Sequence, residues 1–419
     1  MLQEFIGLMS PKTKSLKVLY SLVRKHGGIR INELVDLSGY KHSTCSRLVE
    51  ELVQTGLIYD SGLGETKVGR RPALYMIKPD SHYLIGVEIS SLFIVVLLLD
   101  LNLQVLDEVK FKVNSNSTPE MTLSMVSDII EQMLLRHHVP QGKLLGIGVG
   151  AISPLDWEQG VILLNDFLSE GLNKLNIIEA LEQRFHTVVL LDNGANLAAL
   201  GEYRSKYWRE TDNLVYTSSG IGVRSGIILQ GQVVGSRLDM DESFGHITVD
   251  VHGRKCSCGA YGCLEAYSSF PAVREELIRR IKRGKSSALQ TMSLQADDIQ
   301  FHHILDALTL GDPLCTDVVR DAAYYYGIGL ANLIHLIRPD IVIVGGGLGG
   351  NITFYEMASE TVQERIKHYK NYQVQIIRAS SGYNAVAVGA GCMVFDYFLE
   401  ERTIHATLET NDHTEDIKQ

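Results

Sequence analysis

Short apolar segments with the length of β-strands alternate with helical segments from Tyr83 onward, and this alternation constrains the fold more than any other feature of the sequence. In the first region, the strand-like segments are Leu84–Val87, Ile94–Leu99 and Leu144–Val149, and the helical segments are residues 120–137 and 176–185. A second region runs from Leu214 through Ile343 and has a helix-rich middle at about residues 271–337. Strands that alternate with helices are typical of α/β domains, so the sequence predicts an α/β body with two lobes.

The chain is too long for a single hydrophobic core. At 419 residues, two or three domains are expected. We predict an N-terminal module at residues 1–79, a first α/β lobe at 80–200, a second α/β lobe at 201–400 and a charged tail at 401–419. The body is expected to close with a helix at residues 385–399.

The N-terminal module is predicted to contain three helices. The first has apolar residues at helical spacing and ends at Gly27. The second spans about residues 31–37 and the third about residues 42–54, with a glycine-containing turn between them. Two short helices joined in this way are typical of a helix-turn-helix.

One face of the third helix is polar and basic. The residues that we expect to face DNA are Lys41, His42, Ser43, Thr44, Ser46 and Arg47. Extended segments at residues 56–59 and 73–76 flank a hairpin tip that carries Arg70 and Arg71, as in the wing of a winged helix-turn-helix. A three-helix protein-interaction module with a solvated basic loop is the alternative, and the basic wing favours DNA binding.

Charge is unevenly distributed along the chain. The formal net charge is −10, but residues 1–79 contain 12 Lys and Arg against 7 Asp and Glu. This module therefore carries +5 and the rest of the chain −15. A small basic module on an acidic body favours local contact with DNA phosphates and argues against nucleic-acid binding by the whole protein.

Cysteines cluster in one short motif. Cys256, Cys258 and Cys263 lie within eight residues, and His246 precedes them. Three thiolates and an imidazole form a closed tetrahedral donor set for zinc, with no open position for catalysis. The sequence therefore predicts a structural zinc site, and buried cysteines without a ligand are the alternative.

The six cysteines do not suggest a disulfide scaffold in a chain of this length. The start of the chain lacks the basic and small-residue pattern of an export signal, and the apolar runs are shorter than a membrane span. We therefore expect a cytoplasmic protein without a membrane partner.

Several motifs resemble the ROK family, which contains repressors, open reading frames and kinases. In the N-terminal module these motifs are Ser43-Thr44-Cys45-Ser46-Arg47, residues 52–58 and Gly69-Arg70-Arg71-Pro72. In the body, Gly245-His246-Ile247-Thr248-Val249-Asp250 and the cysteine motif through Glu265 are similar to the ROK signature. The resemblance covers about residues 83–398 of the body and implies a two-lobed, actin-like sugar-kinase fold behind the winged helix-turn-helix.

The resemblance also implies roles for particular residues. It assigns His246, Cys256, Cys258 and Cys263 as zinc ligands, and Asn193, His246 and Glu265 as contacts to a sugar. The catalytic aspartate of ROK kinases corresponds to Gly194, and a second sugar-binding carboxylate corresponds to Ser243, beside Glu242. A kinase needs a base for the sugar hydroxyl, so we expect no catalysis.

The phosphate-binding loops of ROK kinases are altered as well. The glycine-rich first loop corresponds to Glu88-Ile89-Ser90-Ser91-Leu92, which has no glycine. The second loop, residues 218–226, retains glycines but contains Arg224, which either binds an anion or is a surface charge. Gly345-Gly346-Gly347 is either a third loop or only a tight turn.

The sequence therefore predicts a transcriptional regulator, a repressor of carbohydrate genes that binds a double-stranded DNA operator. Its expected effector is a sugar or sugar phosphate, and its expected assembly is a homodimer or a dimer of dimers, because one winged helix reads one half-site. A sugar kinase with an accessory DNA-binding domain is the main alternative. A DNA-binding scaffold whose body only dimerises is another.

Overall fold

The computed structural model describes residues 2–7, 9–62, 73–90, 93–112, 118–152, 154–156, 159–163, 175–235, 243–291, 298–380 and 384–399. Two compact units are formed, the first by Met1–Asp192 with Ala387–Gln419 and the second by Asn193–Val386. The boundaries of the module and the lobes given above remain predictions.

Fifteen labelled elements lie between residues 11 and 193 of the described chain. They are α1 (Pro11–His26), α2 (Ile31–Ser38), α3 (His42–Gln54), β1 (Ile58–Asp60), β2 (Tyr75–Ile77), β3 (Tyr83–Ile89), β4 (Phe93–Asp100), β5 (Val105–Lys112), α4 (Pro119–Arg136), β6 (Leu144–Ala151), β7 (Leu155–Asp156), β8 (Val161–Ile162), β9 (Leu175–Asn176), α5 (Ile177–Phe185) and β10 (Val188–Asn193). Single 3₁₀ turns lie at Leu2–Phe5 and Pro79–Ser81.

The described residues from 194 to 399 contain the remaining labelled elements. They are α6 (Gly194–Glu202), β11 (Leu214–Ser219), β12 (Val223–Leu229), β13 (Gln232–Val233), α7 (Ser243–His246), α8 (Glu265–Ser268), α9 (Phe270–Lys282), α10 (Ala288–Thr291), α11 (Phe301–Thr309), α12 (Pro313–Ile337), β14 (Ile341–Gly345), α13 (Gly346–Gly349), α14 (Ile352–Ile366), β15 (Gln375–Arg378) and α15 (Ala385–Leu399).

The three N-terminal helices form where the sequence predicted them. Ser10 caps α1 by accepting a hydrogen bond from the Thr13 amide, and Pro11 occupies its first position. Gly27 and Gly39 end α1 and α2 in the left-handed conformation, which glycine adopts without steric cost. The buried faces of the three helices pack together, as the helical spacing of their apolar residues requires.

A two-stranded hairpin follows the three helices. β1 pairs antiparallel with β2, and Ile29 forms an isolated bridge with Tyr75. The predicted wing tip with Arg70 and Arg71 lies outside the described residues. The hairpin stem agrees with the two extended segments that were expected on either side of that tip.

The first unit also contains a five-stranded mixed sheet with the order β10-β6-β3-β4-β5. β3 pairs parallel with β6 and antiparallel with β4. No strand was predicted at β5, although its charged and apolar residues alternate with the period of a partly exposed strand. That composition suits a sheet edge exposed to water.

The last helix, α15, belongs to the first unit from Ala387 onward. α15 lies against β3 and β6, where Gly86 and Gly148 have no side chains to hold it away. A Cβ atom at either glycine would overlap the carbonyl of Ala387 or Ala390. Backbone-to-backbone packing of this kind was not visible in the sequence, because it depends on residues far apart along the chain.

The second unit contains a five-stranded sheet with the order β13-β12-β11-β14-β15. β11 pairs parallel with β14 and antiparallel with β12. The long helix α12 packs against α14 within the largest hydrophobic core of this unit. The mixed sheets and their helices confirm the predicted α/β class.

Among the described residues, no helix has both the length and the apolar character that crossing a bilayer requires.

Candidate functional site

Four metal-ligating side chains converge in the second unit. His246 is the last residue of α7, and Cys256, Cys258 and Cys263 lie in the loop between α7 and α8. Their ligand atoms all lie within 4.8 Å of one another. The structure therefore brings together the four residues that the sequence spacing predicted.

The separations in this cluster fit a tetrahedral zinc site. The Sγ atoms of Cys258 and Cys263 are 3.7 Å apart, and Sγ of Cys256 lies 3.6 Å from Nδ1 of His246. Bonds of about 2.3 Å to sulfur and about 2.0 Å to nitrogen place two tetrahedral ligand atoms about 3.5–3.8 Å apart. Both the donor chemistry and the dimensions of the cluster therefore suit one zinc ion.

Glycines allow the loop to fold around this cluster. Gly259 and Gly262 have φ angles of 91° and 75°, in the left-handed region that favours glycine. A Cβ atom on Gly262 would also overlap the carbonyl of Asp250. Thr248 bridges to Cys263 and closes the loop beside the fourth ligand.

The thiols of the cluster differ in their acidity. A hydrogen bond from the Ala260 amide, opposed in part by desolvation, lowers the pKa of Cys258. Burial raises the pKa of Cys263 to about 12. A metal ion at this position would therefore displace a proton that the buried thiol otherwise retains.

Glu265 is held at the start of β12. It begins α8, two residues after Cys263, and its Oε2 accepts a 2.9 Å hydrogen bond from the amide of Val223. The backbone of Gly245 approaches the same carboxylate, since a Cβ there would lie 3.3 Å from Oε2. The cysteine loop therefore fixes the position of Glu265 relative to the second glycine loop.

Arg224 lies beside this carboxylate and is half-buried rather than exposed. A Cβ on Gly222 would lie 2.6 Å from Nη1 of Arg224 and 2.9 Å from Oε2 of Glu265. The guanidinium group therefore occupies the space that a side chain at position 222 would fill. Of the two sequence interpretations, a plain surface charge does not fit this position.

Asn193 is buried and caps a helix. Its Oδ1 accepts hydrogen bonds of 2.9 Å from the amides of Ala195 and Asn196, at the start of α6. Gly194 is the first residue of α6, so no side chain projects from this position. A Cβ on Gly226 in β12 would overlap the carbonyl of Ala195, so α6 packs directly on the strand that leads from Val223.

The structure thus places the three predicted sugar contacts in or beside three helices, α6, α7 and α8, near β12. Asn193 lies at the start of α6, and His246 and Glu265 lie in α7 and α8 beside the first residue of β12. Ser243 begins α7 and is exposed, whereas Glu242 lies outside the described residues.

Two glycine loops meet at the ends of β11 and β14. The strands are parallel, and Ser218 is in register with Gly345. Gly346 has a φ of 81°, and a Cβ there would overlap the backbone of Ser219. Ligands often bind at the carboxyl ends of parallel strands, but the sequence could not indicate that these two loops are adjacent, because strand order was not visible in it.

The carboxyl end of β3 carries Glu88, where the segment that resembles the first phosphate loop of ROK kinases begins. Burial raises the pKa of Glu88 to about 7, and Lys110 offsets only part of this effect. The hydroxyl of Ser90 donates to the carbonyl of Phe93 and accepts from its amide, which closes the turn to β4. Ser91 and Leu92 lie outside the described residues. Sequence reasoning did not find the unusual carboxyl of Glu88, because its burial depends on the fold of the sheet.

The predicted DNA-facing residues lie on one side of α3 and at its start. Lys41, His42, Ser43 and Arg47 are exposed, whereas Thr44 and Ser46 are half-buried. The opposite face of α3 is buried in the module. The surface of α3 is therefore available for a partner.

The chain is similar to proteins of one family along most of its length. The ROK family profile matches residues 84–396. The xylose repressor of Caldicellulosiruptor bescii is 30% identical over 375 residues, which cover 88% of this chain and 92% of that protein. A glucokinase of Halalkalibacterium halodurans is 26% identical over 319 residues and covers 74% of this chain and 94% of its own length.

Solved structures agree with these sequence matches. The crystal structure of a ROK family transcriptional regulator, a homologue of the E. coli MLC protein, superimposes with a TM-score of 0.74 at 22% identity. The superposition covers 92% of this chain and 96% of that one, so the fold is shared along nearly the whole length. On the strength of the profile match and the repressor match, the chain belongs to the ROK family.

Proposed function

We propose that this protein is a transcriptional repressor of sugar-utilisation genes whose kinase-like body senses a sugar and does not phosphorylate it. The observation that carries this proposal is the extent of the repressor match, which covers 88% of this chain and 92% of the repressor. The glucokinase match covers a smaller share of the chain. The exposed polar face of α3 is consistent with a cytoplasmic protein that reads DNA.

In this proposal, residues 1–79 bind double-stranded DNA. The side chains assigned to DNA are Lys41, His42, Ser43, Thr44, Ser46 and Arg47 on α3, and Arg70 and Arg71 in the predicted wing. α3 enters the major groove, where Arg47 contacts a base edge. The wing arginines contact phosphates or the minor groove. Two modules of a homodimer read two half-sites.

The body is proposed to bind a sugar or sugar phosphate through Asn193, His246 and Glu265. Because Oδ1 of Asn193 caps α6, a contact to a hydroxyl would come from its amide nitrogen. His246 can serve the metal and the effector together, since Nδ1 is turned toward Cys256 and the ring has a second nitrogen. The effector must favour one conformation of the body over another to change DNA affinity.

The metal in the Cys₃His cluster is proposed to be a structural zinc ion held by His246, Cys256, Cys258 and Cys263. The interatomic distances and the soft donor set support this assignment. Zinc would stabilise the loop and thereby hold Glu265 in place.

The absence of a catalytic carboxylate at position 194 supports a non-enzymatic body. A general base contributes about 10²–10⁴-fold to the rate of proton transfer steps. A sugar kinase remains the second candidate, because glucokinases belong to the similar proteins. A coupled assay for ADP release with hexoses and pentoses separates the two, since a kinase turns over and a repressor does not.

In vitro selection of duplexes from a random library tests the proposed DNA binding. The full chain should recover duplexes with two related half-sites, and a chain that lacks residues 1–79 should recover none. Enrichment of the same duplexes by the truncated chain would place DNA binding in the body and contradict the assignment.

A further inference from the structure

One acidic residue interrupts the apolar sequence of α15. Asp396 lies among alanine, valine, phenylalanine and leucine residues, and its side chain is fully buried. Its Oδ1 lies 2.6 Å from Nη1 of Arg24 in α1, whose side chain is 5% exposed. The ion pair therefore connects the N-terminal helical module to the last helix of the chain, in a site from which water is excluded.

Aromatic side chains surround this ion pair. The guanidinium carbon of Arg24 lies 3.8 Å from the ring centroid of Phe395, and Nη2 of Arg24 is 3.7 Å from Sγ of Cys392. Tyr20 in α1 packs edge-on against Phe395, with ring centroids 6.3 Å apart. Phe5 in turn packs on Tyr20. Together these residues define one contact surface, which we call the α1–α15 contact.

The other side of α15 is fixed to the first sheet. Gly86 in β3 and Gly148 in β6 lie directly against the α15 backbone, as described above. Gly391 lets α15 approach Leu99 in β4, where a Cβ would lie 2.5 Å from that side chain. α15 is thus a middle layer between the sheet and α1, and any movement of α15 acts directly on α1.

The α1–α15 contact contains polar groups that would gain hydration if it opened. The hydroxyl of Tyr20 is buried and has no hydrogen-bond partner among the described residues. Arg24 and Asp396 both give up their hydration to form the buried pair. Opening returns these groups to water, which offsets part of the free energy lost with the apolar packing. The closed state is therefore favoured by less than it would be in a purely apolar contact.

The start of α15 coincides with a junction between the two units. The chain passes from the second unit to the first between Val386 and Ala387, within the first turn of this helix. The second unit contains the residues proposed to bind the effector. The chain also passes between the two units at Asp192 and Asn193. Of these two connections, the one in α15 is followed directly by the contact with α1 through Asp396 and Arg24.

We propose that α1 docks reversibly on α15 through the Arg24–Asp396 pair, and that this docking holds the helical module in the position in which it binds DNA. The inference rests on the proposed function for its DNA-binding part. Docking fixes the orientation of the two modules of a dimer, so both half-sites are read at a smaller cost in conformational entropy. Linkage is reciprocal, so the factor by which docking increases DNA affinity is also the factor by which bound DNA favours the docked state.

Cys392 provides a native reporter of this docking. It is fully buried and its Sγ faces Arg24, so opening of the contact exposes it to a maleimide reagent. Labelling is measured on the full chain by peptide mass spectrometry. Cys315, buried in the second unit, reports global unfolding in the same sample. Asp396→Ala should increase the labelling rate of Cys392 at least tenfold and leave that of Cys315 unchanged.

Two further variants keep the test decisive. Glu131→Ala breaks the exposed pair with Arg184 in the same unit and should change neither labelling rate. Arg24→Met combined with Asp396→Leu replaces the buried pair with apolar side chains, which retains packing without the charge. In this double variant Cys392 should stay as protected as in wild type. Equal rates for Cys392 in wild type and Asp396→Ala would overturn the docking proposal.

DNA binding tests the second part of the proposal. With a duplex recovered by selection on the full chain, Asp396→Ala should bind at least tenfold more weakly, and saturating duplex should slow Cys392 labelling in wild type. Faster labelling in Asp396→Ala with DNA affinity within twofold of wild type would overturn the coupling. If wild type binds no duplex, the proposed function fails, and the labelling comparison still decides whether α1 docks on α15.

Discussion

The carboxyl group of Glu88 shows how strongly burial can change the acidity of a single residue. It lies at the end of β3, where burial raises its pKa to about 7. The folded protein therefore retains this proton at pH values at which the unfolded chain has released it. From the pKa of an unfolded glutamate, near 4.5, up to about 7, the contribution of Glu88 to stability falls as pH rises.

Glu88→Gln should remove this pH dependence. Relative to wild type, the variant should gain stability between pH 5 and pH 8, by at most about 3 kcal/mol, and the two should be alike below pH 4. Denaturant unfolding at a series of pH values measures the difference. Glu108→Gln, an exposed residue of β5, is the control and should track wild type. A difference in unfolding free energy between Glu88→Gln and wild type that is the same at every pH would contradict the account.

Gly194 is the position at which the proposed sensor lacks the carboxylate expected of a ROK kinase. Gly194→Asp restores a carboxylate at the start of α6, yet we expect no ADP release with any sugar, because the loop after β3 still lacks the glycines that surround phosphates. The variant should bind sugar more tightly, by about 1.5–3 kcal/mol, if the carboxylate accepts a hydroxyl hydrogen bond. Calorimetry with D-xylose and D-glucose measures this, and Gly194→Asn is the uncharged control. Sugar-dependent ADP release from Gly194→Asp would show that the rest of the catalytic site is intact.

Among the elements, the cysteine loop makes the most direct prediction. Purified protein should contain about one zinc ion per chain, and Cys258→Ala should lose zinc and unfold at lower temperature, because metal binding stabilises the folded loop. Ser257→Ala changes the neighbouring residue outside the donor set and should retain zinc. Metal analysis by mass spectrometry and thermal unfolding test both variants. A Cys258→Ala protein with wild-type zinc content would contradict the assignment.

α3 and the predicted wing should contribute differently to DNA binding. Arg47→Ala should relax discrimination at one base pair, at a cost of about 1–3 kcal/mol for the preferred duplex. Arg70→Ala should weaken binding to all duplexes alike and reduce the salt dependence. Fluorescence anisotropy at several salt concentrations, with matched and mismatched duplexes, separates the two effects. An equal loss of affinity of Arg47→Ala for the matched and the mismatched duplex would contradict a base contact.

Local patterns in the sequence predicted some elements well and could not indicate others. Helices α1 to α3 and the four ligands of the cysteine loop depend on neighbours within a few turns of chain, so spacing alone located them. The packing of α15 on the first sheet depends on Gly86 and Gly148, which lie far away in the sequence. Arg24 and Asp396 are separated by 372 residues, and although Asp396 interrupts an apolar segment, nothing near it in the sequence indicates its partner. Contacts of this kind depend on strand order and helix placement, and the spacing of residues along the sequence does not indicate either of these.

At the scale of the whole molecule, the chain combines a helical module with an exposed polar face and an α/β body. The fold is shared with a ROK transcriptional regulator along nearly the whole chain. A protein built in this way can regulate only if binding in the body changes DNA binding by the module. A scaffold that binds DNA without an effector, and a kinase that carries an accessory module, share the same fold but lack this coupling.

One measurement distinguishes these three possibilities. The DNA affinity of the full chain is determined by fluorescence anisotropy with a selected duplex in the presence of ATP. Each titration is done with and without D-xylose, D-glucose or their phosphates, and ADP is quantified in the same samples. The account predicts that one of these sugars changes the dissociation constant at least fivefold, equivalent to about 1 kcal/mol of coupling, without ADP release above background. Sugar-dependent ADP release, or a dissociation constant that none of them changes, would contradict it.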